Sequence, residues 1–413
     1  MNCLLPPSHE AAPLVGRTPW SAAGPLAGLL QHPEEGRRGR RPRTRGSAPL
    51  RLYVPLILAL IPALAPAQVA KFRVRETAGL RRFGYPVRAS IRSDAGPLQL
   101  LENGKQIPAQ FTALDEHLEV DFNVSLGPWE TRDYRVEYGV ASASPGVSVS
   151  QADGLFVVRH GLEFDVPDNL LGFLKQVTNS KLSYLRPGSP GLALNYKDDT
   201  EFRTGGLGHW GERTKARITK HGPLVGGLRF ESTEGLRSDR TVKSVVDMDF
   251  PRSKAWIEVR WAVEDPERLV AGMIADLSLL IEGPPALVDF GANDTVYAAL
   301  KPAQRFVLSS SAPGWFVNLN DEPYASSTKS HAEGWAHVMD KQRATAIAVS
   351  GFGEETRDRI EVSADGRLRI RRDFPGGGER SLHFWLHFVT MPVQVGAATS
   401  PQAMQSPLRV EWE

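Results

Sequence analysis

Apolar and polar residues alternate along most of the chain. In residues 256–263, WIEVRWAV, Ile257, Val259, Trp261 and Val263 fall on one side and Glu258 and Arg260 on the other. Side chains two apart in a strand share a face, so this spacing predicts a half-buried strand. The same alternation recurs in 118–124, 134–140, 243–250, 345–349 and 382–389. In HFWLHF, 383–388, His383, Trp385 and His387 share one face and Phe384, Leu386 and Phe388 the other, which predicts a central strand covered on both sides. Turn residues agree with this reading. Asn103-Gly104 and Asp365-Gly366 each separate two alternating runs and suit a type I′ turn, where both central residues need positive φ. Helical periodicity is scarce. The best window, DPERLVAGMIADLSLL at 265–280, also reads as a turn followed by a long strand.

The chain is therefore expected to be all-β. The stretch ASASPGVSVSQA, 141–152, divides it, giving a small β domain at 68–142, a barrel or small sandwich. A large antiparallel double-sheet sandwich follows at 150–413, too long for an immunoglobulin-type unit of about 100 residues.

Residues 52–64, LYVPLILALIPAL, form an apolar run shorter than the roughly 20 residues of a membrane span. Arginines 37, 38, 40, 41, 43, 45 and 51 precede it and Ala65-Pro66-Ala67 follows. A basic region, an apolar region and an A-x-A end predict a secretory signal cleaved before Gln68, and a secreted or periplasmic protein with no stable membrane span after cleavage. The alternative is an uncleaved anchor. Residues 1–40, rich in Pro, Gly and Arg, are expected to lie upstream of the true start.

Composition adds three exclusions. Hydrophobic residues at 41% and charged ones at 23% describe an ordinary globular chain of 413 residues. Eight of the 49 Lys and Arg and three of the 47 Asp and Glu lie in 1–67, leaving 41 and 44. A nearly neutral body gives no reason to expect nucleic acid as a partner. The one cysteine, Cys3, lies in the leader, so the mature chain has neither disulfides nor a cysteine nucleophile. P-loop, dinucleotide, G-x-S-x-G and H-E-x-x-H motifs are absent.

Several segments together carry a resemblance. In the small domain they are AGLRRFGYPVRASI (78–91), LLENGKQIPAQF (100–111) and LGPWETRDYRVEYG (126–139). In the large one they are HGPLVGGLRFES (221–232), AWIEVRWAVEDPERL (255–269), GWAHVMDKQRATAIAVSGF (334–352) and FWLHFVTMPVQVGAATSPQAMQSPL (384–408). In this order the chain resembles the exo-rhamnogalacturonan lyase-like family, and more broadly the galactose-mutarotase-like sandwiches of polysaccharide lyases and glycoside hydrolases. The resemblance implies a carbohydrate or polysaccharide partner and β-elimination on an acidic, pectin-type glycan. The family continues into an α/α toroid, and this chain stops at Glu413, so a polysaccharide-binding or cell-envelope scaffold role stands beside catalysis.

A lyase needs a base such as Lys, His or Tyr, and positive charge to neutralise the substrate carboxylate. The densest such region is 184–221. There His209 is the expected base, Arg213 the carboxylate clamp, Trp210 a sugar-stacking face, Tyr184 a further catalytic group and Arg203 a substrate contact. The alternative is a solvated loop with Trp210 anchored in the core. A second region, HAEGWAHVMD at 331–340, offers His331, Trp335 and His337 for substrate, or a core tryptophan between two turn histidines. His383 and His387 are about 13 Å apart along a strand and cannot share one metal ion. No cofactor is expected, with a Ca²⁺ site drawing on these loops as the alternative, although no EF-hand spacing stands behind it. The oligomeric state is not legible.

Overall fold

The structure is a computed structural model. It describes residues 68–413 apart from 93–95, 115–116, 143–145, 199–200, 208–213, 238–239, 284–285, 293, 312–313, 377 and 393–400. The predicted leader, signal peptide and cleavage point lie outside the described residues. The described chain is strand almost throughout, with a single short helix, Pro401–Gln405. The expected all-β class is what the structure has.

Two large antiparallel sheets form the main sandwich. The nine-stranded sheet runs Lys215–His221, Val225–Arg237, Arg240–Pro251, Trp256–Glu264, Arg380–Thr390, Arg343–Val349, Trp335–Met339, Ala286–Ala292, Asp294–Leu300. The eight-stranded sheet runs Glu201–Gly206, Gly191–Asp198, Val270–Ser278, Arg367–Asp373, Arg357–Ser363, Arg305–Ser310, Trp315–Leu319, Glu322–Ser327. Between them lies one apolar core that includes Val259, Trp261, Met273, Phe290, Leu308, Ile347, Ile360, Leu382 and Phe384. Each such large side chain contributes about 1.5–3 kcal/mol when fully buried. A five-stranded sheet over 148–183 packs Phe156, Phe164 and Val177 into the same core.

The small unit has a three-stranded sheet, Arg82–Ile91, His117–Leu126, Ala109–Leu114, and a five-stranded one that includes Gln68–Arg75 and Thr131–Tyr138. Its core holds Phe72, Phe122 and Tyr134 together with Trp256, Trp335 and Trp385 from the outer face of the nine-stranded sheet. The middle of that sheet is therefore covered on both faces, as the pattern of 383–388 implies.

One hairpin turn is as expected, and four other local readings are refined. Asn103 and Gly104 both have positive φ, +51° and +76°, as a type I′ turn requires. At Asp365-Gly366 only the glycine is left-handed, at φ +92°, and Gly366 N donates to Ser363 O at 2.9 Å, so the type I′ expectation is corrected to a turn closed by one left-handed glycine. A Cβ there would stand 2.1 Å from Leu279 O, which is why only glycine fits. The window 265–280 resolves to a turn and the strand Val270–Ser278, because both of its faces are needed in the sandwich. Ser148–Ala152, inside the expected linker, is itself a strand paired with Leu155–Arg159. Residues 401–412, grouped by sequence with the large sandwich, pack on the small one, and Arg409–Trp412 pairs antiparallel with Gln68–Arg75.

Candidate functional site

A cleft of about 520 Å³ opens where the small unit meets the end of the nine-stranded sheet. Cavities of about 460, 330 and 160 Å³ elsewhere among the described residues are smaller. Its walls come from four places: Phe83 in the small unit, the turn at His160–Leu162, the hairpin turn Arg252–Ala255, and the strand end His387–Thr390 with Tyr184 and Asn179 behind it.

Tyr184 is fixed at every level. Its N–H donates to Val177 O and its carbonyl accepts from Leu280 N. Its ring packs edge-on against Phe388 at 5.5 Å, and its hydroxyl shares a hydrogen bond with Thr390 Oγ1 at 2.9 Å. Arg343 Nε, donating to Ser183 O at 2.6 Å, ties this segment to the nine-stranded sheet. Burial pushes the phenol pKa up, so Tyr184 is a proton donor at neutral pH and not a base.

Lys254 reaches the cleft from the tight turn between Arg240–Pro251 and Trp256–Glu264. Its Nζ donates to Phe83 O and lies 5.6 Å from the centre of the Trp256 ring. Burial, and then the charge of Arg82, lower its pKa to about 8. Burial likewise holds His387 down at about 3, helped by His337 and Lys254, and His160 down at about 4. Both imidazoles are neutral near pH 7. His160 Nε2 is buried with no hydrogen-bond partner among the described residues. A cavity that concentrates burial-shifted groups is the usual mark of a binding or catalytic site.

A polar seam beside the cleft holds the small unit on the sheet. Asp249 accepts from Arg260 Nη2 and from Arg88 of the small unit, and Lys220 Nζ donates to Asp121 at 2.8 Å. His383 Nε2 pairs with Glu258 Oε1 at 2.9 Å. These charges satisfy one another, so the seam positions rather than reacts.

Of the residues expected from sequence, those described lie in different parts of the structure. His209, Trp210 and Arg213 lie outside the described residues. Arg203 is exposed on Glu201–Gly206, the edge strand of the eight-stranded sheet. His331 is exposed in the loop before Trp335–Met339. Trp335 is buried against Gly291, with Nε1 donating to Glu333 Oε2 at 2.6 Å. His337 Nδ1 bonds Asp289 Oδ1 at 2.8 Å, and its ring lies 5.1 Å from that of Trp335. Of this set Tyr184 lines the cleft, and His337 stands two strands from the cleft residue His387, across Ala346. Lys254, Arg252 and His160 were missed. The signal for the first two was two cations in a tight turn, PRSK, between two strongly alternating strands. Among the described residues no group of three His, Cys, Asp or Glu is placed to hold a metal ion.

No family model and no curated protein matches the chain. Solved structures do. A glycosyl hydrolase family 38 protein from Enterococcus faecalis aligns at 11% identity and TM-score 0.56, over 83% of this chain and 47% of that one. An alpha-mannosidase from Enterococcus faecalis V583 aligns at 10% identity and TM-score 0.56, over 83% and 46%. A candidate aldose 1-epimerase from Klebsiella pneumoniae aligns at 8% identity, over 59% and 82%, with a TM-score of only 0.37. At such identities the likeness is one of fold, and the chain spans about half the length of the first two. What the chain shares with the first two is the β-sandwich fold.

Proposed function

We propose that the protein is an exported carbohydrate-active protein that takes an acidic saccharide into the cleft at the unit junction and cleaves it by β-elimination. The observation that carries this reading is the meeting of Tyr184 with Lys254 and Arg252 in one cavity. Arg252 and the protonated share of Lys254 supply positive charge for a uronate carboxylate. With a pKa of about 8, roughly a tenth of Lys254 is free amine at pH 7, enough to remove the proton α to that carboxylate. The carbon–hydrogen pair becomes the new double bond, the glycosidic carbon–oxygen bond breaks, and Tyr184 returns a proton to the leaving oxygen. The sandwich fold and the order of the resembling segments support the substrate class.

The test follows the ultraviolet absorbance of the unsaturated uronide as the purified chain meets rhamnogalacturonan and other uronic-acid glycans, with and without Ca²⁺. A signal that Lys254→Met and Tyr184→Phe abolish supports the assignment. Turnover lost in His209→Ala but kept in Lys254→Met moves the base to the 208–213 segment. One observation favours a second reading, saccharide binding without turnover. Tyr184 is only 1% exposed and its hydroxyl is already bonded to Thr390. Retained affinity with a flat absorbance trace is the outcome that selects it.

A further inference from the structure

The outer face of the eight-stranded sheet, on the far side of the sandwich core from the nine-stranded sheet, carries a second cavity of about 330 Å³. Its chemistry follows from strand periodicity. On Arg367–Asp373 the alternate residues Arg367, Arg369 and Arg371 point outward, while Leu368 and Ile370 are core. The neighbouring Arg357–Ser363 presents Arg359 and Glu361 on the same face, and Arg305 follows on the next strand.

Register makes one pair unusual. Asp358 stands opposite Arg372, and the two form a fully buried ion pair. One residue along, Arg359 stands opposite Arg371 on the outer face. Like charges directly opposite oppose sheet formation. Arg371 is compensated by Asp373 at 2.8 Å, Arg369 by Asp276 at 2.8 Å, and Arg305 by Asp321. Arg359 is exposed and has no carboxylate within ion-pair distance among the described residues. An unbalanced guanidinium therefore faces a concavity beside a second one, a geometry suited to a bound carboxylate.

The rest of the lining narrows the ligand. Phe316 and Val307 give an apolar floor, and Asn318 and Ser309 add neutral polar groups. Asp321 and Glu361 are acceptors for the hydroxyl donors of a sugar. We infer that this face is a second saccharide site, which binds a uronate-bearing oligosaccharide with its carboxylate between Arg359 and Arg371 and a sugar ring over Phe316. It is independent of the cleft and needs no turnover there.

Titration calorimetry of the purified chain with oligogalacturonate, maltohexaose and inorganic phosphate tests this. Arg359→Ala should weaken oligogalacturonate binding at this site by roughly tenfold or more, as loss of a charge-assisted hydrogen bond predicts. Arg359 has no ion-pair partner to lose among the described residues, so the variant should keep the wild-type unfolding midpoint. Lys254→Met should leave this site unchanged, and maltohexaose should not bind to it. Unaltered binding in Arg359→Ala, equal binding of maltohexaose, phosphate binding as tight as the saccharide, or no oligogalacturonate binding would each overturn the inference. If Lys254→Met removes all binding and Arg359→Ala none, the cleft is the saccharide site and this face is not.

Discussion

Lys254 gives the sharpest test of the cleft, because its charge should cost folding free energy. Its pKa of about 8 in the folded protein lies below the ordinary 10.5, so the folded state binds its proton less tightly than the unfolded state. Below pH 8 both states are protonated and the full penalty applies. Between pH 8 and 10.5 the unfolded chain holds more protons than the folded one, so stability rises with pH. Taken at face value, the change from pH 7 to pH 9.5 is about 2 kcal/mol at 1.36 kcal/mol per unit. Lys254 keeps some solvent contact, and screening reduces this to about 1 kcal/mol. Denaturant unfolding of the wild type and Lys254→Met at pH 7, 8.5 and 9.5 isolates the effect, since the other titrating groups cancel in the difference. Methionine keeps an apolar stem on Trp256 without the charge. The stability of the wild type relative to the variant should rise across this range by about 1 kcal/mol. A difference that stays flat, or falls, would show that Lys254 is not desolvated and would remove the physical reason for placing it at the centre of the site.

Three further outcomes follow from packing and charge. Asp358 accepts hydrogen bonds from Gly353 N, Thr356 Oγ1 and Arg372, so Asp358→Ala leaves a buried guanidinium unpaired and should cost about 3–5 kcal/mol in urea unfolding; the double variant with Arg372→Met should recover much of it. Burial alone would raise the Glu258 carboxyl, but the His383 hydrogen bond and the charges of Arg260 and Arg88 hold it well below the usual carboxylate range. The stability it contributes should be intact above pH 4.5 and fade as pH falls below that, and Glu258→Gln should flatten this limb of an acid titration followed by fluorescence. Gly291→Ala would set a Cβ 2.1 Å from Trp335 Nε1, and the forced shift should cost about 1–3 kcal/mol of unfolding free energy, with a changed tryptophan emission.

Much of the fold was legible because strand periodicity is a local property. The alternation of 256–263 correctly divides Trp261 and Val263, in the sandwich core, from Glu258 and Arg260 in the seam. The two faces of 383–388 are assigned in the same way, and Asn103-Gly104 marks its hairpin because only such residues tolerate two positive φ values in succession. Partner choice is not local. Nothing in the sequence sets Trp256–Glu264 beside Arg380–Thr390, or returns Arg409–Trp412 to Gln68–Arg75, because register and neighbour are decided by which faces can be buried together. The site depends on those choices. Tyr184 meets the turn at Arg252–Ala255 only once the sheet is assembled, and Lys254 acquires its lowered pKa only from the burial that assembly creates. The arginines of 367–371 declare an outward face by spacing alone, but the opposition of Arg359 and Arg371 exists only in the paired register. Sequence thus determined the strands and their faces, and tertiary structure decided which charges stand together and how far each is removed from water.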